Sequence, residues 1–495
     1  METFIESFSA GVDAVDSFVW GWALIWLLLG THLFMTIRTG FPTAIKLSVS
    51  KNDPYAEGDI SQFGALTTAL AATIGTGNIV GVATGLLCGG PGAIFWMWLT
   101  GVFGIATKYS ETYISMKYRV KDANGRMLGG AMYALERGFK HKGLGKLLAV
   151  LFALFTAIAS FGIGASVQSN SLAGALTSSS LIPGASEIPT WLIGIVVTVL
   201  VAIVIIGGLK KVSKVCEKLV PIMAIFYVAC CLAIIGMNGA YLWDAIVTII
   251  TCAFTGQAAF GGAVGSGIML ALQYGFKRGL FSNESGLGSA PLVAASAISK
   301  NPARQALVSM SGTFWDTVVI CLITGLMLVT SLLANPDLAA IYNNTMLASN
   351  DLSIDTAVGI FSGGAALATA CFESIPVLGP LVLVVGLLCF TYSTMLGWSQ
   401  YGDRAITYLF GTKGIRPYQV VFLLFVFWGC IGGGDLVWNL SDISNALMAV
   451  PNCIAVLVLS GVIAKGTKYW IYEGRLEEED TTPIPTVGTV DHPNV

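Results

Sequence analysis

LAATIGTGNIVGVATGLLCGG, residues 70–90, reads as a membrane span by its apolar content, yet it holds six glycines, two of them in the group Gly75-Thr76-Gly77-Asn78. Glycine inside a helix costs about 1 kcal/mol relative to alanine, and in lipid each backbone group must find a partner. A span built to unwind in its middle therefore implies that something else supplies those partners. The composition places the whole chain in the bilayer. Of 495 residues, 55% are hydrophobic and 11% charged, with mean hydropathy +0.76, whereas soluble domains are about 25% charged. A net charge of −2 without any basic stripe excludes a nucleic-acid binder. The ten cysteines lie mostly in apolar runs without CxxC spacing, and the three histidines form no metal pattern.

Charge-free runs long enough to hold about 20 apolar residues predict eleven spans. These are 17–37, two within 60–107 joined at CGGPG (88–92), one within 147–186, then 188–209, 219–237, one within 244–274, 303–333, 377–401, 417–434 and 442–464. Segment 352–373 is apolar but short and glycine-broken, so it reads as a hairpin in the outer face. The polar, proline-bearing tail (465–495) reads as disordered. The N-terminal METFIESFSAGVDAVD has four acids and no basic residue, so it reads as a retained extracellular segment (1–16) and not a secretory signal. With that end outside, the inner segments 38–59, 108–146, 210–218, 277–304, 403–416 and 465–495 hold all 26 Lys and Arg. The outer loops hold none, as the positive-inside rule requires. The expectation is a multi-pass protein of the cell membrane with a cytoplasmic C-terminus.

Setting aside the first span and its loop (17–59), ten spans divide into 60–237 and 238–464. Five is odd, so the second unit must enter the membrane upside down. The predicted fold is an all-α polytopic membrane protein: eleven transmembrane helices, a 5+5 inverted repeat preceded by one extra helix. Such repeats place a binding site at broken helices. The second break is expected in AFTGQAAFGGAVGSG (253–267), which has five glycines in fifteen residues. Freed N–H groups at a half-helix start suit a carboxylate, and freed carbonyls suit a cation. The alternative for either stretch is close helix packing through small residues. Asp316 is an ionisable group inside a span and so a functional candidate: a cation ligand, a proton carrier, or a partner of Arg304. Glu111, beside a basic loop, reads as an ion-pair member.

Three stretches, ATIGTGNIVGVA (72–83), GGPGAIFWMWLTGVFG (89–104) and NESGLGSAP (283–291), make the chain resemble the alanine or glycine:cation symporter family, the sodium:alanine symporters. The resemblance implies a LeuT-type fold with an extra leading helix. It also implies sodium-coupled import of small neutral amino acids, alanine or glycine, by alternating access, with Na+ as co-transported ligand and no cofactor. Position by position, it implies that Thr76 and Gly77 offer N–H groups to the substrate carboxylate. The Asn78 side-chain oxygen and the Thr73 carbonyl would bind one sodium. The Ala71 and Ile74 carbonyls would face a second, completed by the Phe390 carbonyl and the hydroxyls of Ser393 and Thr394. Thr255 and Asp316 are implied as further sodium ligands. Phe254, Gly256, Gln257 and Phe260 would wall the substrate pocket, Gln168 rather than Asn170 would reach the substrate, and Trp398 would cap it. Alternatives stand beside these roles: Asn78 as a helix cap, Gln168 as an interhelical amide, Ser393 and Thr394 bonding their own helix, the aromatics as bundle core. NESGLGSAP reads as a loop and helix start just inside the membrane, a gate or hinge.

Other classes fit less well. A proton-coupled permease of the same fold is permitted by Asp316. A passive channel calls for charged rings along a pore, and a membrane-embedded enzyme for paired carboxylates or a His/Ser constellation. The spans show neither.

Overall fold

The computed structural model describes residues 11–12, 15, 18–40, 56–177, 184–255, 267–350, 357–373, 375, 378–432 and 435–487. Helix α1 (Trp22–Thr39) leads. The glycine-rich run then forms α2 (Gln62–Thr73), α3 (Val80–Gly89) and α4 (Gly92–Lys117). Ser61 caps α2, its Oγ accepting from the Gly64 N–H at 2.8 Å. Gly90, at φ 67, turns the chain, and Pro91 starts α4, where a fixed φ suits a helix start. Between α2 and α3, Gly75 is extended (φ −141, ψ −150) and Thr76–Asn78 make one tight turn. The span is broken where its G-T-G-N group predicts.

Strands β1 (Val120–Lys121) and β2 (Met127–Leu128) pair antiparallel, and α5 (Ala131–Gly138) follows. Helix α6 (Lys142–Ala159) passes through a π-helical interval, Ser160–Ser166, into α7 (Val167–Thr177). Next come α8 (Thr190–Ile205), α9 (Gly208–Met237), α10 (Leu242–Thr255) and α11 (Gly267–Asn283). Helix α12 (Pro302–Thr313) runs through a second π-helical interval, Phe314–Cys321, into α13 (Leu322–Ala334). The chain closes with α14 (Pro336–Asn350), α15 (Ala357–Glu373), α16 (Leu378–Phe410), α17 (Ile415–Gly432), α18 (Asp435–Val458) and α19 (Ser460–Thr467). Six helices are long and apolar enough to cross a membrane, seven if the pair 442–458 and 460–472, bent by 57°, counts as one span. Ile203, Ile222, Ile225 and Leu424 stand exposed on α8, α9 and α17, as lipid-facing positions would. Tyr227, Phe372, Phe390 and Phe422 fill the interior.

Two expectations need correction. Segment 352–373 does not fold back on itself: residues 357–373 are one helix, preceded by α14. Its glycines serve contact rather than a turn, for a Cβ on Gly364 would lie 2.1 Å from Thr84 Oγ1 of α3. The tail is not loose over its described part. Val487 N–H donates to the Lys121 carbonyl and Lys121 N–H to the Pro485 carbonyl, both at 2.8 Å. Asn301 Nδ2 donates to the carbonyls of Leu476 and Glu478, and Arg304 pairs with Glu477 at 2.9 Å. Low hydrophobicity predicts disorder only where no partner groups wait; here the α12 start and the β-hairpin supply them.

Candidate functional site

The break between α2 and α3 is fully buried. Asn78 organises it. Its Oδ1 accepts from the Gly75 N–H at 2.9 Å, while its Nδ2 donates to Asp316 Oδ1 at 2.8 Å and to the Asp316 carbonyl at 3.2 Å. The side chain thus caps the turn and grips the π-helical interval of the neighbouring helix at once. Among the described residues no acceptor takes the N–H groups of Thr76 and Gly77, two donors at a half-helix start of the kind that binds carboxylates.

Asp316 is fully buried and pairs with no cationic side chain. Besides Asn78, it accepts from Ser282 Oγ at 2.8 Å and Thr317 Oγ1 at 2.7 Å. The Arg304 pairing open in the sequence is not made: Arg304 meets Glu477 instead. A carboxylate among hydroxyl oxygens in a dry interior is a hard-ligand set suited to a hard cation. Widening of a helix into π form is frequent at functional sites.

Gln168 reaches the break from α7. Its Nε2 donates to Thr76 Oγ1 at 3.4 Å and to the Ile163 carbonyl at 3.1 Å, and its Oε1 is buried without a partner. That orphan oxygen lies 3.5 Å from where a Gly75 Cβ would be. Asn170 points elsewhere, donating to the Gly429 carbonyl of α17. From α16, Thr394 Oγ1 donates to the Ile74 carbonyl at 3.4 Å, joining two of the residues expected at the second cation. Ala71 is buried in α2, whose next residue, Ala72, lies so close to Gly397 that a Cβ there would meet its backbone at 2.7 Å. Thr73 Oγ1 bonds back to Leu70, and Ser393 Oγ bonds back to the Phe390 carbonyl at 2.9 Å. Trp398, one turn beyond Thr394, packs against Gly164 and edge-on to Tyr401.

The second break is not brought together as expected. Gly256, Gln257 and Phe260 lie outside the described residues. Phe254 is half exposed, and its ring meets Phe95 and Trp96 at the start of α4, at 5.2 and 5.5 Å. Thr255 is exposed and bonds back to Thr251. Neither touches Asn78 or Asp316. The residues that do arrive are Phe281 and Ser282, at the end of α11. A Cβ on Gly77 would lie 3.2 Å from the Phe281 ring and 3.4 Å from Ser282 Cα.

Immediately afterwards the helix comes apart, in NESGLGS. Glu284 is the one non-glycine at positive φ among the described residues (φ 54), with Gly286 at φ 91 and Gly288 at φ 77. Each polar group of this stretch has a buried partner close by. Lys108 Nζ donates to the Glu284 carbonyl at 3.0 Å and pairs with Glu111 at 3.3 Å. Glu111 Oε2 accepts from the Gly286 N–H and from Asn452 Nδ2, which also reaches the Gly286 carbonyl. Ser289 Oγ donates to Glu284, and Ser285 Oγ meets Thr313 Oγ1 at 2.9 Å. Unwinding in lipid is tolerated where protein re-satisfies the backbone. NESGLGS carries acids and hydroxyls for this, whereas AFTGQAAFGGAVGSG offers glycine alone.

This also revises the charge arithmetic. Lys277 sits 3.6 Å from Asp442 and 5.5 Å from the Trp20 ring centre, and Arg278 lies along Gly85 of α3. Both belong to the body of α11, not to an inner loop.

A family model described as the sodium:alanine symporter family matches residues 5–483. The sodium/alanine symporter AgcS of Methanococcus maripaludis is 49% identical over 465 residues, 92% of this chain and 96% of its own. An uncharacterised transporter of Haemophilus influenzae is 44% identical over 96% of this chain and 98% of its own. The crystal structure of MhsT in complex with L-phenylalanine aligns with TM-score 0.53 at 15% identity, over 81% of this chain and 89% of that one, a likeness of fold.

Proposed function

Because the chain belongs to the sodium:alanine symporter family and is a sodium-coupled amino-acid symporter, we propose that it imports alanine or a similarly small neutral amino acid through the α2–α3 break. The N–H groups of Thr76 and Gly77 take the substrate carboxylate, and the orphan Gln168 Oε1 takes the ammonium. Gly75, Gly77, Thr394 and Phe281 leave room for a methyl group and little more. Asp316, with Ser282 and Asn78, holds one sodium; the Ile74 carbonyl and Thr394, with Ala71, Phe390 and Ser393 close by, face a second. A zwitterion and its cation then solvate one another where neither could enter lipid alone. Binding of both stabilises a closed state, and relative motion of the repeats opens it to the other side. In this reading the chain makes eleven spans in a 5+5 inverted repeat with the N-terminus outside, and α11 with NESGLGS is the broken helix of the second unit.

The observation that carries the proposal is the direct bond from Asn78 in the first break to Asp316, which Ser282 beside the second break also holds. The test is uptake of labelled alanine into proteoliposomes. An inward sodium gradient should drive accumulation, choline in its place should abolish it, and Asn78→Ala should lose the sodium dependence. Equal uptake in sodium and in choline at fixed pH would instead favour proton coupling through Asp316.

A further inference from the structure

Away from the break, a groove of about 1050 Å³ runs between α8, α9 and α16. Its lining is sharply segregated. Leu192, Val196 and Leu200 of α8 and Leu388 of α16 form an apolar trough, while the charged members, Lys211, Lys214, Glu217 and Lys218, all come from two turns of α9. Tyr392 adds no free polar atom, since its hydroxyl donates to the Leu200 carbonyl at 3.1 Å. Lys211 is tied back to the Ile203 carbonyl at 2.6 Å. Lys214 and Lys218 are exposed and enter no hydrogen bond or ion pair. Two unpaired ammonium groups, one helical turn apart, therefore stand at one end of a trough of aliphatic side chains.

We propose that this groove binds a phospholipid with an anionic head group, its phosphate on Lys214 and Lys218 and an acyl chain along α8. From Leu200 to Leu192 the helix axis advances about 12 Å, close to the roughly 15 Å hydrocarbon depth of one leaflet. Basic pockets between membrane helices are suited to such head groups. The site also adjoins the moving part of the transporter. Glu217, between the two lysines, accepts from Ser61 Oγ at 2.7 Å, and Ser61 caps α2. A Cβ on Gly64 of α2 would meet Ser213 Oγ at 2.2 Å and Glu217 Oε1 at 2.4 Å. The head group thus lies beside the contact that seats the start of α2 on α9.

Full-length protein in neutral detergent, titrated with phosphatidylglycerol or phosphatidylcholine and read by native mass spectrometry, tests this. Phosphatidylglycerol should be retained in preference. The pair Lys214→Gln, Lys218→Gln should bind it about tenfold more weakly or worse, and so should Val196→Trp, which fills the trough without changing charge. The pair Lys140→Gln, Lys413→Gln, equal in charge but remote, should bind as the original does. Equal retention of both lipids, or equal binding by the trough-filling and remote variants, overturns the proposal. Unchanged melting temperatures without lipid confirm that each variant is folded.

Discussion

Replacing Asp316 with asparagine separates ion binding from stability, because the two should move in opposite directions. The carboxylate is fully buried and held by three donors, Asn78 Nδ2, Ser282 Oγ and Thr317 Oγ1, with no cationic side chain beside it. Asparagine keeps the shape and an acceptor oxygen, and the two hydroxyls can turn to accept from its amide. What disappears is the charge. Unit charges about 4 Å apart at an effective dielectric near 20 attract by about 4 kcal/mol, a factor of roughly a thousand in affinity. At a sodium concentration about 100 times its Kd, the original chain gains about 2.7 kcal/mol of stability. After a thousandfold loss, the gain falls below about 0.1 kcal/mol. In choline alone, by contrast, Asp316→Asn should melt at or above the original temperature, since an uncompensated buried charge has been removed. The assay is thermal melting of purified protein across a sodium series balanced with choline. Sodium stabilisation that survives in the variant refutes Asp316 as the cation's counter-charge. A large drop in the sodium-free melt refutes the view that the charge is uncompensated.

Further outcomes follow from the same geometry. Gly75→Ala places a Cβ 2.5 Å from Thr394 Oγ1, so alanine uptake should collapse. Gly81→Ala, two turns on and with nothing nearer than 3.9 Å, should transport normally and melt slightly higher. Gly286→Ala forces a side chain to φ 91 and to within 2.6 Å of Leu28 Cδ2, which should destabilise by about 2–4 kcal/mol; adding Leu28→Ala should recover only the steric part of the lost melting temperature. Deleting residues 474–495 removes the partners of Arg304, Lys117 and Asn301. Exposed pairs are worth at most about 1 kcal/mol each, so the melt should change little while hydrogen exchange at 299–304 rises clearly.

The first break is legible in the sequence because it breaks two local rules at once: glycines interrupt a helix, and Asn78 brings an amide into an otherwise apolar run. Asp316 and Gln168 announce themselves the same way, as polar groups whose burial costs too much to be idle. Phe281 and Ser282 escape such reading. Lys277, Arg278 and Glu284 flank them, and charge at that density reads as a loop outside the bilayer. Only the fold reveals that Lys277 has Asp442 and Trp20, and that the NESGLGS backbone has Lys108, Glu111 and Asn452, none nearer than 150 residues in sequence except within α4 itself. The glycines of 253–267 misled for the converse reason. Glycine content shows that a helix can yield, but not that anything waits to bond to it once it does. A better signal was available in Asn283, Glu284, Ser285 and Ser289, which bring their own donors and acceptors to the stretch that unwinds.

Gln168 and Asp316 share one further circumstance. Each follows or occupies an interval wound more widely than the helix around it, Ser160–Ser166 before the glutamine and Phe314–Cys321 around the aspartate. Such an interval accommodates one surplus residue. Excising a single amino acid, Phe161 for instance, lets the coil revert to regular pitch and rotates all that comes after it by about 100°. Gln168 would then swing away from Thr76 although no residue of the pocket had been replaced. The aim of these two side chains is thus set by chain length as much as by chemistry, and a deletion that hydropathy cannot detect would disarm the carrier as thoroughly as losing the carboxylate.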